Sequence, residues 1–134
     1  MKLPENVQNV MRNGHNVWVA TTGEDGTPNI AIKGSGSLLD DENLFFADLF
    51  SKKTRANLLK NDSVAVAIYE PDDDVAVQVK GKASFVDSGP LFDKVSDTIA
   101  GLQAGLPPVK SVVKITVESV WDLSAGPNSG ERIV

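Results

Sequence analysis

The chain has 134 residues, enough for one domain whose core needs no staples, and it lacks cysteine, which excludes disulfides, thiolate metal sites and cysteine nucleophiles. Its formal net charge of −5 opposes a general nucleic-acid binder, and a single histidine excludes a His-rich metal centre. No apolar run approaches the ~18 residues of a membrane span and no secretory h-region follows Met1, so a cytoplasmic protein without membrane contact is expected.

Pro4 to Arg12 places Val7 and Val10, with Leu3 and Met11, near one helical face, which predicts a short amphipathic helix ended by Asn13-Gly14. His15 then falls in an Asn13-Gly14-His15-Asn16 turn and reads as a turn residue. Val17 to Thr22 is β-branched and aromatic, and Gly23-Glu24-Asp25-Gly26 carries the Asp-Gly signature of a tight hairpin leading into a partner strand, Thr27 to Ser37. Within that strand Lys33 adjoins Gly34-Ser35-Gly36, a run without bulky side chains that marks a bulge or the close approach of a ligand. Asp40 to Asn43 is the next turn.

A short apolar strand follows (Leu44, Phe45, Phe46, Ala47), then a polar corner (Ser51, Lys52, Lys53, Thr54) and a helix from about Thr54 that closes at Lys60-Asn61-Asp62. Two lysines, a serine and a threonine thus stand where the N–H groups of a first helical turn lack partners, a combination suited to a phosphate dianion. The structural alternative is that Ser51 or Thr54 caps the helix while Lys52, Lys53 and Arg55 are a solvated surface. Cations at a helix N-terminus oppose the macrodipole by a few tenths to ~1 kcal/mol, so three of them favour an anion between them. In an acidic chain the run Lys52 to Arg55 is a local positive site.

Ser63 to Tyr69 is an apolar strand expected to be buried on both faces. Pro71 and the three aspartates after it form an acidic loop, which lacks the Gly and distal Glu of a calcium loop, so a metal is not expected there. Val75 to Val86 alternates apolar with polar residues, with Gly81 as a bulge. From Ser88-Gly89-Pro90 a helix carries Leu91, Phe92, Val95, Ile99 and Leu102 in a stripe that covers the sheet or an open barrel end, and it stops at Ala104-Gly105 and Pro107-Pro108. Ser111 to Val120 is the last long strand, with Trp121 at its end. Residues 124–134 are weakly specified and free to move unless a second subunit holds them. Six mostly antiparallel strands with two or three helices predict a mainly β fold over residues 1–134, with the N-terminal helix in residues 1–14, and closure into a small barrel removes the exposed edges.

Three stretches, VATTGEDGTPNIAIKGSG (Val19 to Gly36), FFADLFSKKTRANLLKNDSVAVAIYE (Phe45 to Glu70) and VQVKGKASFVD (Val77 to Asp87), resemble in order and spacing the FMN-binding split barrels related to pyridoxamine 5′-phosphate oxidase, particularly the small single-domain FMN-binding proteins. The resemblance implies a six-stranded antiparallel, Greek-key-like split β-barrel that binds FMN, with the phosphate at Ser51, Lys52, Lys53 and Thr54 and Lys33 beside it. It further implies flavin contacts from Asn29, Ile30, Ala31, Ile32 and Lys33 on the second strand, from Ala47 and Asp48 at the end of the third, and from Gln78, whose offset from Gly81 differs from that of the oxidase. Trp121 would stack near the ring or pack in the core. A homodimer with flavin at the subunit interface is expected.

The chain also departs from the oxidase. It has no counterpart of the C-terminal Arg and His that hold pyridoxal there: it ends at Val134 and no histidine follows His15, so vitamin B6 oxidation is not implied. Lys33 would replace the oxidase's phosphate-contacting arginine, as a point charge rather than a fork. No acid/base pair or nucleophile elbow is legible, which fits a protein whose cofactor carries the chemistry. The implied function is a small FMN-dependent oxidoreductase of unknown substrate. The alternatives are a non-catalytic flavin-binding or electron-carrier protein, or a barrel using a deazaflavin or haem, the last with no evident axial ligand beyond His15.

Overall fold

The structure, a computed structural model, describes residues 1–102 and 105–134. Helix α1 (Glu5–Met11), strands β1 (His15–Thr22), β2 (Pro28–Asp40) and β3 (Asn43–Asp48), helix α2 (Lys53–Lys60), strands β4 (Ser63–Glu70) and β5 (Val75–Val86), helix α3 (Pro90–Leu102) and strand β6 (Ser111–Asp122) follow in that order, and a 3-10 turn over Pro71–Asp73 joins β4 to β5. The strands close into an antiparallel barrel in the order β1-β2-β3-β6-β5-β4, so the α2 connection carries the chain from β3 across to pair β4 with β1. This is the mainly β, six-stranded antiparallel barrel that the sequence implies.

Period-two patterning decides the interior. Val17 and Val19, Leu44 and Phe46, Val64, Val66 and Ile68, Val75, Val77 and Val79, and Val113, Ile115 and Val117 form one core, to which α1 adds Val7 and Met11 and the segment before it Leu3. A second cluster lies outside the barrel, where Val95 and Ile99 of α3 pack on Ala47 and Val112. Of the two places expected for α3, it takes the sheet face. Leu102, at the end of its apolar stripe, is nonetheless 70% exposed. Of the residues expected to end this helix, Ala104 lies outside the described residues.

Three local expectations change. His15 opens β1 instead of lying in a turn. β4 is buried on one face only, Ala65 and Ala67 being half-buried and Tyr69 exposed, because a closed barrel has a single interior. Arg55 leaves the positive corner, as described below. Gly81 does mark a bulge: the β5–β6 register shifts there, and a Cβ on it would lie 2.1 Å from the Thr116 carbonyl oxygen. Residues 124–134 turn back onto β6, with Ile133 N–H donating to the Val120 carbonyl at 2.7 Å and Asp122 N–H to that of Glu131 at 2.9 Å. Among the described residues no helix is long and apolar enough to cross a membrane.

Candidate functional site

β2 and β3 pair only from Ser37 opposite Phe45 to Asp40 opposite Asn43. Beyond Ser37 the ladder stops, and the Ser35 hydroxyl, not a main-chain carbonyl, accepts from Ala47 N–H at 3.0 Å. The parting strands leave a wedge of about 300 Å3 lined by Ile32, Lys33, Gly34, Ser35, Ala47, Leu49 and Phe50, with Ile99 and Leu102 of α3 on its other side. Small residues at Gly34 and Ser35 keep it open. A larger cavity, about 430 Å3, adjoins it along β2.

At the corner end of the wedge, two side chains of β2 reach the approach to α2. Lys33 Nζ donates to Ser51 Oγ, and Asn29 Nδ2 donates to Thr54 Oγ1 at 3.3 Å. Residues about twenty positions apart in sequence thereby share one small site. The ammonium of Lys33 also stands 5.6 Å from the centre of the Phe46 ring. Ser51 and Thr54 are buried, whereas Lys52 and Lys53 are exposed. Neither hydroxyl caps the helix: Lys52 is the N-cap residue and no side chain accepts there, so the first-turn N–H groups lack a side-chain partner. Among the described residues no carboxylate lies within ion-pair distance of Lys33, Lys52 or Lys53. Lys33 and a helix N-terminus bearing Lys52 and Lys53 thus adjoin, none of the three cations in a direct ion pair, although Asp48 lies near Lys33 and Glu24 and Asp25 near Lys53, an arrangement that fits a phosphate.

Burial pushes the Lys33 ammonium below the usual lysine range, and the nearby Asp48 carboxylate offsets part of that shift. Lys33 is only partly buried and keeps a route to solvent. Asp48 itself is fully buried. Its Oδ2 accepts from Arg55 Nη1 at 2.6 Å, while its Oδ1 has no partner.

Arg55 is therefore not part of the clamp, although its place in the Lys52 to Arg55 run suggested so. The same nitrogen donates to Ser111 Oγ at 2.8 Å, and the guanidinium stacks 4.9 Å from the Phe85 ring. A buried carboxylate demands a partner, and the first turn of α2 presents Arg55 to it. Ser35 carries no sequence signal of its own beyond the small-residue run Gly34-Ser35-Gly36 in which it lies.

The other candidates divide by strand face. Asn29, Ala31 and Lys33 alternate with Ile30 and Ile32, which point outward and are 68% and 65% exposed. Gln78 and Trp121 are direct neighbours across β5 and β6, in a row that runs Ile32, Trp18, Ala67, Gln78, Trp121 over the outer face of the barrel. Along that row four strand spacings separate Trp121 from Ile32, roughly 19 Å at ~4.8 Å each; the other way round, through β3, Trp121 lies past the Asn43 end of the β3–β6 ladder and the corner past its Asp48 end. Within one chain the structure does not bring Gln78 or Trp121 to the phosphate corner. Trp121 is half-buried outside the core, its Nε1 donating to Ser119 Oγ at 2.8 Å and its ring facing Lys80 Nζ at 4.7 Å. His15 is occupied elsewhere, with Nδ1 2.7 Å from the Asn16 carbonyl and Nε2 3.3 Å from Glu70 Oε1.

The family model described as Pyridoxamine 5′-phosphate oxidase matches residues 3–124, and the chain belongs to that family. An uncharacterized protein of Methanocaldococcus jannaschii is 32% identical over 119 residues, 87% of this chain and 78% of its own. Among solved structures, the chain is similar to HupZ of Group A Streptococcus (24% identity, TM-score 0.78, 96% of this chain and 99% of that one). It is also similar to an FMN-binding protein of Syntrophomonas wolfei (16%, 0.76, 91% and 86%). An F420 reductase (22%, 0.69, 88% and 98%) and the haem storage protein HutZ of Vibrio cholerae (15%, 0.65, 91% and 95%) share the fold. At these identities the solved structures speak to the barrel alone.

Proposed function

We propose that this member of the pyridoxamine 5′-phosphate oxidase family is a small FMN-dependent oxidoreductase that works as a homodimer with flavin at the subunit boundary. The observation that carries the reading is the contact of Lys33 with Ser51 beside an uncapped helix N-terminus bearing Lys52 and Lys53, with no direct ion pair to any of the three lysines among the described residues. Lys52, Lys53 and the first-turn N–H groups of α2 would hold the phosphate, with Lys33 fixed against Ser51 as a third charge. The bound flavin would supply the hydride and electron chemistry. Gly34, Ser35 and Ala47 give a planar ring a wall without bulky side chains. Ile32, Leu49, Phe50 and Leu102 make that wall apolar and would hold water away once a second copy covers them.

The dimer accounts for two features that one chain leaves idle. Ile30 and Ile32 present bulky apolar side chains on the outer face of β2, which favours a covered surface. A second copy packed there would carry its own Gln78 and Trp121 toward the wedge, which a single chain holds too far around the barrel.

The test is the absorption spectrum of the purified protein, followed by reduction with NADH, NADPH and dithionite. The protein should be yellow with stoichiometric flavin, and added FMN at a hundred times its Kd should stabilise the apoprotein by about 2.7 kcal/mol. A colourless protein that gains no thermal stability from FMN overturns the reading. Flavin reducible by dithionite but by neither nicotinamide, with no turnover of an added acceptor, favours the carrier alternative. A deazaflavin spectrum, or a haem Soret band, assigns a different cofactor to the same barrel. A histidine-ligated haem fits poorly, since the one histidine already has both ring nitrogens engaged.

A further inference from the structure

The cavity adjoining the wedge has a composition that the flavin reading does not use. At about 430 Å3 it is large enough for a small molecule, such pockets running from ~300 to ~1,000 Å3. Leu38 and Phe45, from the paired part of β2 and β3, and Leu91 and Val95 of α3 give it apolar walls. Its charged lining is of one sign: Arg12, just past α1, and Lys94 on α3, with no carboxylate among the described residues that line it. Neither cation has an ion-pair partner among the described residues, and Arg12 makes one weak hydrogen bond, 3.5 Å to Asn9 Oδ1. A chain of net charge −5 thus keeps two cations without ion-pair partners in the lining of a cavity that is otherwise apolar or uncharged, Asn13, Ser35, Ser37 and Thr98 being its neutral polar members. The cavity and the wedge are neighbours, since Gly34, Ser35, Ile99 and Leu102 line both.

We propose that this cavity binds an organic carboxylate with an apolar body, held by Arg12 and Lys94 at its charged end and directed along β2 toward the wedge. The guanidinium offers a carboxylate two parallel donors and the ammonium adds a point charge, while the leucines, Phe45 and Val95 take the body of the molecule. The placing of its far end beside a flavin rests on the flavin reading; its binding does not.

The test compares cinnamate with its uncharged counterpart cinnamamide on the protein as purified and on the FMN-loaded protein, by calorimetry and by the flavin difference spectrum. Cinnamate should bind at least about tenfold more tightly than cinnamamide. The Arg12→Gln, Lys94→Gln double variant should lose that preference while keeping its melting temperature and its FMN content. Failure of cinnamate to bind, equal affinity for the two probes, or a preference that survives the double substitution overturns the proposal and leaves the flavin reading standing. A charge-dependent preference in a protein that holds no FMN supports the anion site and counts against the flavin reading alone. An unchanged flavin spectrum on cinnamate binding to the loaded protein overturns the direction toward the wedge.

Discussion

Lys33 of β2 donates a hydrogen bond to Ser51, two residues before the first turn of α2. That contact turns a strand lysine and a loop serine into one site, and it fixes where the ammonium charge stands. Lys33→Met keeps the length of the side chain and removes the charge. FMN should then bind roughly 10- to 150-fold more weakly, the loss of one charge-assisted contact of ~1.5–3 kcal/mol, while riboflavin changes little. Flavin-fluorescence titration of both ligands measures this, and equal losses would place Lys33 away from the phosphate.

The depressed Lys33 pKa predicts a pH dependence. Burial is its main cause, and the unfolded chain holds this proton to a higher pH than the folded one. The charged lysine therefore costs stability at low and neutral pH, a cost relieved as pH rises through the folded pKa toward the usual ~10.4. A bound phosphate does the reverse and draws the proton back. FMN affinity should fall on the alkaline side sooner than an ordinary lysine would dictate, and Lys33→Met should remove that part of the decline. Kd against pH for the two proteins tests it; superimposable profiles would show that Lys33 does not titrate against the ligand.

Arg55 and Lys53 stand two residues apart and should fail differently. Arg55→Ala strands the fully buried Asp48 carboxylate, whose other oxygen already lacks a partner, and should destabilise the fold by about 3–5 kcal/mol. That is a large part of the ~5–15 kcal/mol typical of a domain. Lys53→Ala alters an exposed side chain and should shift stability by no more than ~0.5 kcal/mol while weakening FMN. Urea unfolding of both apoproteins, beside FMN titration, separates a structural cation from a binding one. A reversed pattern would exchange their roles.

The outer face of β2 should govern assembly. Ile30→Asp with Ile32→Asp places two charges where the barrel interior is untouched, so the fold should survive while the dimer dissociates. Sedimentation would report a monomer, with FMN lost alongside. A wild-type chain already monomeric at working concentration, with flavin bound, would remove the dimer from the functional reading.

The strands, a turn over Gly23 to Gly26 (within a five-residue loop, not a two-residue hairpin), the Gly81 bulge and the helix after the Ser-Lys-Lys-Thr corner were legible because each is written in neighbouring residues. The exceptions are instructive. β4 reads as buried on both faces since Ala65 and Ala67 are apolar, yet only barrel closure determines that they face outward. Arg55 reads as a surface cation, yet a carboxylate seven residues earlier, sealed under β6, takes it inward.

Alternation, turn chemistry and the clustering of cations at a helix entrance depend on residues a few positions apart, and the sequence by itself determined these, together with the likeness to a flavin-binding family. The meeting of Lys33 with Ser51, the wedge where β2 leaves β3, the cavity between Arg12 and Lys94, and the placing of Gln78 and Trp121 three and four strand spacings from Ile32 along one row were decided only by the tertiary structure. They depend on strand register and on how the sheet closes, which are set by packing between segments far apart in the chain.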